Sequence, residues 1–166
     1  MELHPRIKDV LDLLDPPKGF QPWHGGPTLM GCLRGVDANQ AAWKPTLDRN
    51  SIWNLVLHMA YWKYSIIRKL NPDFPKGFDR SPSNFPEVPE KLTQKSWQKD
   101  KDLLKKTHQI LVEEIIKFPP QKLDDTCPSK KEWTYSQLIT GIAAHDTYHI
   151  GQIQVLKKLF AEMNGN

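Results

Sequence analysis

Three histidines have the residue type and the spacing to bind a metal ion. His145 and His149 are four residues apart, which in a helix places both imidazoles on one face about one turn apart. Two ring nitrogens at that spacing can reach one ion. His58 lies between Leu55 and Trp62 at helical three-and-four spacing, on or beside the buried stripe of another helix. Together the three side chains predict a half-open site of three neutral imidazoles, with room for water or substrate.

The helix that contains His145 and His149 has an unusual buried seam. Three consecutive positions in the middle of this seam are polar, and an unpartnered polar side chain in a core costs a few kcal/mol. A metal ion would satisfy them, whereas a plain core of hydrogen-bonded histidines is the alternative. Steps of three and four residues give the seam as Tyr135, Leu138, Ile142, His145, His149, Gln152, Leu156 and Leu159.

The remaining candidates are less well placed. His24 is expected in a loop, where it could close over a site. We expect His108 at the surface or rim of the core, with a role as fourth ligand as the alternative. Asp146 and Glu114 are the carboxylates that could act as general bases. Asp146 lies about 100° around the helix from His145, so we expect its side chain either to orient a metal ligand or to be exposed.

The segment from His145 to His149 differs by one residue from the HExxH motif of zincin proteases, because Asp146 replaces the general-base glutamate. Zincins take their third ligand from downstream. The short stretch after His149 contains no further histidine, and Glu162 lies too near the terminus to be a suitable ligand. The third ligand must therefore come from upstream, which disfavours a zincin.

The distribution of proline predicts the helices that carry these residues. The chain has fourteen prolines, which leave the proline-free windows 28–44, 46–71, 90–118 and 129–166. Proline inside a helix costs about 3 kcal/mol, so each window can be helical and each proline cluster must be a connection. No window shows the alternation expected of a strand. We therefore predict an all-α protein, a four-helix bundle in which the long connection 71–88 crosses over along the bundle.

Capping signals and prolines set the predicted helix ends. A short amphipathic helix, 6–14, is stopped by Pro16 and Pro17. The four bundle helices are predicted from Pro27 to about Gly35, from Asn50 and Ser51 to about Leu70, from Pro89 to Phe118, and from a capping box at Thr134–Gln137 to about Glu162. A further turn or short helix is predicted at Asp37–Trp43.

Composition excludes several classes of protein. A length of 166 residues and 39% hydrophobic residues suit a single domain, 1–166. No run of eighteen apolar residues exists, so we expect no membrane span. The N-terminus lacks the layout of a signal peptide, and Cys32 and Cys127 show no framework spacing, so we expect a cytoplasmic protein. A net charge of +4, with lysines alternating with aspartates, predicts no nucleic-acid binding.

The sequence SIWNLVLHMAYWKY, followed far downstream by GIAAHDTYHIGQIQVLKKL, resembles the DinB-like (DinB/YfiT-type) superfamily of metal-dependent enzymes. The most specific element is HxxxHxGQI, with an upstream helical histidine five residues after a tryptophan. The resemblance implies a four-helix bundle with crossover topology that binds a divalent ion, Ni2+ or Zn2+. Its ligands correspond to His58, His145 and His149. Gly151 and Gln152 also match, and Gln152 is a candidate for orienting a ligand or a bound water.

The resemblance implies a metal-dependent hydrolase or a transferase that uses a low-molecular-weight thiol such as bacillithiol or mycothiol. Three neutral ligands would leave the full charge of the ion, which favours a bound water with a pKa of about 7 or a bound thiolate. The alternatives are a non-catalytic, metal-stabilised binding or scaffold bundle and a plain helical interaction domain. Relatives also suggest a homodimer, to which the aromatic residues Trp23, Trp43 and Trp97 could contribute.

Overall fold

The computed structural model describes residues 3–22 and 24–165, apart from the side chain of Lys131. Trp23, one of the aromatic residues considered for a dimer, lies outside the described residues. Within this part of the chain we find six α-helices and one small hairpin, which confirms the all-α prediction. The helices are α1 (Pro5–Leu14), α2 (Leu29–Cys32), α3 (Ala38–Ala42), α4 (Ile52–Leu70), α5 (Gln94–Lys117) and α6 (Tyr135–Met163), with a 3-10 turn at Pro120–Lys122.

Side-chain caps determine where the long helices begin. The predicted capping box of α6 is present, because Thr134 Oγ1 accepts from the backbone N–H of Gln137 while Gln137 Oε1 accepts from that of Thr134. Ser51 caps α4 in the same way, with Asn54 as its partner. Helix α5 begins later than predicted, since its cap is Thr93 rather than a residue next to Pro89.

Helices α4 and α5 run parallel. Near their N-terminal ends Trp53 packs on Trp97, with ring centroids 5.2 Å apart, and its indole N–H donates to Asp100. Near their C-terminal ends Ile67 and Leu111 belong to one hydrophobic cluster. Because α4 and α5 are parallel neighbours, the chain that connects them must run back along their length. The crossover prediction requires such a connection. Helix α6 runs antiparallel to α4, because Leu55 near the start of α4 borders one cavity with Leu156 near the end of α6, while Ile66 and Leu138 border another.

The hydrophobic core has two parts, one toward each end of these three helices. Helix α1 packs into the part that contains Ile67 and Leu111, whereas α2 and α3 pack into the part that contains Trp53 and Trp97. The shorter helices therefore pack separately, α1 toward one end of the three long helices and α2 and α3 toward the other. Each of the three long helices also contains buried polar side chains that belong to neither part of the hydrophobic core: His58, Lys63, Asp100, Thr107, His108, Asp146 and His149.

The prediction of a first bundle helix from Pro27 to Gly35 is wrong in its extent, because α2 has only four residues. Gly35 adopts the left-handed conformation, with φ of 76°, which ends the helical segment. Asp37 then accepts a hydrogen bond from the N–H of Gln40 and starts α3 as a separate helix.

The structure also contains a hairpin that the sequence did not predict. Strand β1 (Thr126–Cys127) pairs antiparallel with β2 (Lys130–Thr134), directly before α6. A strand of two residues is too short to show a period of two, which is why the pattern was missed. The hairpin places Trp133 and Lys130 beside the first turns of α6.

Two of the other expectations concern membranes and cysteine pairing. Among the described residues, none of the helices has both the length and the apolar character needed to span a bilayer. Cys32 and Cys127 are both free and buried.

Candidate metal centre

His58 from α4 and His145 and His149 from α6 form what we call the three-histidine cluster. The Nε2 atom of His145 lies 3.1 Å from Nε2 of His58 and 3.1 Å from Nε2 of His149. The candidate ligand atoms of all three lie within 4.8 Å of one another. The structure thus brings together the three histidines singled out by sequence, although His58 and His145 are 87 positions apart.

Two of the three imidazoles are held in one tautomer by their outer nitrogens. Nδ1 of His58 donates to the carbonyl oxygen of Asn84 at 2.6 Å, and Nδ1 of His149 donates to Oε1 of Gln152 at 2.6 Å. Both partners are acceptors, so each Nδ1 carries the proton and each Nε2 presents a lone pair to the cluster. Hydrogen bonds of this kind orient histidine ligands in metal sites.

His145 lies between the other two, and its hydrogen bonds do not satisfy the cluster. An Nε2–H of His145 could donate to only one of its two neighbours, which leaves the other lone pair without a partner. Its Nδ1 atom is buried and lacks a hydrogen-bond partner among the described residues. A cation at the meeting point of the three Nε2 atoms would satisfy all three lone pairs, so the donor set fits a divalent ion such as zinc or nickel.

The environment keeps the three imidazoles neutral. Burial, together with the nearby His149, His58 and Lys63, lowers the pKa of His145 to about 3. Burial also lowers the pKa of His58 and of His149, although the hydrogen bonds to Asn84 and Gln152 act in the opposite direction. Neutral imidazole is the form that binds metal, so the cluster is ready to bind at neutral pH.

The crossover segment completes the surroundings of His58, and the sequence did not predict this. Asn84 has φ of 71°, a conformation that asparagine tolerates better than most residues, and its side-chain oxygen accepts from the indole N–H of Trp62 at 2.8 Å. Phe85 stacks on the imidazole of His58 with centroids 4.0 Å apart. An asparagine among prolines predicts a turn, but no local signal predicts which histidine its carbonyl will contact.

Asp146, considered as a general base, does not face the cluster. Its carboxylate forms an ion pair with Lys63, and both side chains are buried, with 4% and 0% exposed. The alternative that Asp146 is exposed is therefore wrong. Burial lowers the pKa of Lys63, and the attraction of Asp146 opposes that shift. Lys63 was missed by sequence reasoning, although a lysine among the apolar residues of α4 was the available signal.

The other candidates lie away from the cluster. His108 is buried, which corrects the expectation of a surface position, and its Nε2 lies 3.4 Å from a carboxylate oxygen of Asp15. His24 is exposed in a loop and accepts a hydrogen bond from the N–H of Gly26. Glu114 is on α5, 3.7 Å from the ammonium group of Lys117.

The two described tryptophans considered for a dimer pack within the chain. Trp97 is fully buried and donates to the carbonyl oxygen of Val36 at 2.8 Å, so it cannot contribute to a dimer surface. Trp43 is half-buried and packs against Phe160, with ring centroids 5.6 Å apart.

Two cavities flank the cluster. One has a volume of about 260 Å³ and is bordered by His145. The other has a volume of about 580 Å³ and is bordered by Gln152, the residue that orients His149. The smaller cavity thus reaches the cluster itself at His145, whereas the larger one reaches the side chain that holds His149.

A family model described as the DinB superfamily matches residues 27–153, well over half of the chain. The matched range includes His58, His145, His149 and Gln152, but not α1. Comparisons with curated proteins and with solved structures found no match.

Proposed function

This chain belongs to the DinB superfamily, and from that premise we propose that it is a metal-dependent enzyme that acts on a small molecule at its three-histidine cluster. The observation that carries the proposal is the convergence of the Nε2 atoms of His58, His145 and His149, two of them fixed as lone-pair donors by Asn84 and Gln152. The proposed ion is Ni2+ or Zn2+, which both accept imidazole ligands.

A bound ion would supply Lewis-acid chemistry, lowering the pKa of a coordinated water or thiol. The chain supplies the rest of the site. Three neutral ligands leave the charge of the ion uncompensated, and Trp62 and Phe85 cover His58 with aromatic surface. The two cavities beside His145 and Gln152 would admit the reactants.

The absence of a free side-chain base favours one of the two reaction classes. Among the described residues, Asp146 is engaged by Lys63, and the amide of Gln152 cannot take up a proton at neutral pH. A thiol ionises at a pKa of about 8.5 without help, whereas water requires far stronger activation. We therefore favour transfer to a low-molecular-weight thiol. Its sulfur forms a bond to an electrophilic carbon, the leaving group departs with its electron pair, and the thiol proton passes to solvent. Hydrolysis is the second candidate.

A non-catalytic, metal-stabilised scaffold is supported by a different observation. The cluster joins α4 to α6, and its outer hydrogen bond ties His58 to the crossover segment. An ion bound there would cross-link three parts of the chain and contribute to stability through binding to the folded state.

Metal analysis of protein purified without an affinity tag tests the first step. We expect one equivalent of divalent metal after reconstitution, and its loss in His58→Ala and His149→Ala. His108→Ala is the matched control, because His58, His149 and His108 are each 6% exposed. The control should lose stability through the lost packing yet keep its metal. A metal content that reconstitution cannot raise, or equal loss in the control, would contradict the proposal.

Activity assays then separate the candidates. Thiol transfer is measured as consumption of cysteine or a related thiol with an activated aryl halide, and hydrolysis as release of nitrophenol from a nitrophenyl ester. We expect the metal-loaded protein and His108→Ala to exceed His58→Ala in the first assay. Silence in both assays, combined with a chelator-sensitive melting temperature, would instead support the scaffold.

A further inference from the structure

The smaller cavity beside the cluster is a groove lined by residues of α4, α6 and β2. It has a volume of about 260 Å³, the size of a small-molecule site near the lower limit of known ligand pockets. Six of its lining residues determine which ligand it could bind: Trp62, Lys69, Lys130, Trp133, Gly141 and His145. We call it the lysine groove.

The lysine groove has two chemically different ends. Trp62 and His145 lie at the end next to the cluster, whereas Lys69 lies seven residues further along α4. Seven residues of helix span about 10 Å, so a ligand that touches both ends must be about that long. This length is that of a single ring with a short chain.

The far end of the lysine groove carries positive charge without an acidic partner. The ammonium group of Lys69 donates to the carbonyl oxygen and the hydroxyl of Ser65, at 3.1 and 2.8 Å, which leaves one N–H free. Within the described residues no carboxylate lies within ion-pair distance of Lys69 or Lys130, and no acidic side chain lines the groove. Burial lowers the pKa of Lys69 despite the opposing influence of Cys127, and the nearby charge of Lys130 also lowers it. An anion at this position would therefore relieve both effects.

Apart from Gln137, the side chains between the two ends of the lysine groove are apolar, and Gly141 leaves open space beside them. Ile66, Leu138 and Ile142 line it together with the two tryptophans, and Trp133 on the hairpin is 48% exposed. A Cβ atom added to Gly141 would meet no other atom within 4 Å. Any larger side chain at this position would extend into the groove.

From these contacts we propose that the lysine groove binds a small carboxylate with an aromatic body. The carboxylate lies at Lys69 and Lys130 and the ring beside Trp62 and Trp133, so the end of the ligand opposite the carboxylate reaches His145. This inference rests on the proposed function in one respect, the statement of which end of the ligand would react. Charge complementarity determines the choice of ligand, because Lys69 and Lys130 are the charged groups among the described side chains that line the groove.

Binding is best measured on metal-free protein, so that a carboxylate cannot be held by an ion instead. The probe is 4-phenylbutanoate, and its neutral isostere 4-phenylbutanamide is the control, both followed by isothermal titration calorimetry. We expect the carboxylate to bind at least about tenfold more tightly than the amide, since a charge-assisted hydrogen bond contributes roughly 1.5–3 kcal/mol. The variants Lys69→Met and Lys130→Met should each weaken carboxylate binding by about tenfold and leave amide binding unchanged.

Gly141→Leu tests the location. We expect it to abolish binding of both probes, because the leucine would occupy the lysine groove, while its melting temperature stays near that of the parent. The matched control is Gly151→Leu on the same helix, where an added Cβ is equally free but borders the other cavity. This control should bind the carboxylate as the parent does.

Equal affinity for carboxylate and amide would overturn the proposal, and so would unchanged binding in Gly141→Leu. Loss of binding in Gly151→Leu alone would place the ligand in the other cavity and would also overturn it. The metal site is tested separately, by the metal content of the same variants. If the protein binds the carboxylate but takes up no metal, the proposed metal-dependent enzyme is refuted and the ligand assignment stands. If it takes up metal but does not bind the carboxylate, the ligand assignment is refuted and the metal site stands.

Discussion

Lys63 and Asp146 form an ion pair inside the helical core, where the side chain of the lysine is 0% and that of the aspartate 4% exposed. The pair joins α4 to α6 beside the cluster, since Asp146 directly follows His145. One carboxylate oxygen of Asp146 has no hydrogen-bond partner among the described residues. Two charges removed from water attract each other strongly, but their loss of hydration offsets most of that attraction.

Lys63→Met should therefore be strongly destabilising. The variant leaves Asp146 as an unpaired buried charge, and breaking such pairs costs about 3–5 kcal/mol. The double variant Lys63→Met/Asp146→Leu should recover most of this loss, because it removes both charges. Urea unfolding of metal-free protein measures both changes. Lys69→Met is the control on the same helix and should change stability little, and a similar loss there would argue against the ion pair as the cause.

Gln152 should determine metal affinity without touching the metal. Gln152→Met removes the acceptor that holds Nδ1–H of His149, and losing such a contact weakens metal binding by about 10–100-fold. Gln152→Glu keeps an acceptor at the same place and should bind close to the parent level. Competition with a chromophoric chelator gives the affinities. If the methionine variant matched the parent, the orienting role would be disproved.

The stability of metal-free protein should fall as the pH drops below the ordinary histidine pKa of 6.5. Burial lowers the pKa of His58, His145 and His149 in the folded chain, so the unfolded chain binds more protons in this range. Stability then decreases as pH falls, starting near 6.5 and continuing toward about 3 for His145. Melting temperatures of chelator-treated protein between about pH 7 and about pH 5 test this. His145→Asn should show a smaller decrease, and an equal one would point to other groups.

Arg80 should affect the metal site through the crossover segment. It pairs with Asp100, whose side chain is fully buried and also accepts from the indole of Trp53. Arg80→Met should destabilise the protein by up to a few kcal/mol, since it leaves Asp100 with a single partner. It should also loosen the segment that holds Asn84 and so weaken metal binding. Arg49→Met, which removes an exposed pair with Asp48, should change neither property.

The helices and the three candidate ligands were predictable because their signals are local. The capping box at Thr134 and Gln137 was readable from the residue types, and the four-residue spacing of His145 and His149 placed them on one face of a helix. His58 required only that its helix pack against α6. These features depend on helical periodicity, which the sequence displays directly.

The partners of the ligands were not predictable, because they depend on long-range packing. Lys63 and Asp146 are 83 positions apart, and nothing near either residue indicates the other. Asn84 reaches His58 only because the crossover segment follows one particular path. The short length of α2 was missed for another reason, since Gly35 and Asp37 are tolerated in a helical window but here divide it.

Asn84 lies in an exposed stretch of the crossover segment, yet its carbonyl oxygen holds the ring of His58. Exposed loops accept substitutions more readily than packed helices do. A change in this loop can therefore rotate a ligand or alter its basicity while the core and all three histidines stay intact. If the proposed ion binds at the cluster, natural variation in this loop would adjust metal preference and reactivity without any change in the helices that assemble the site.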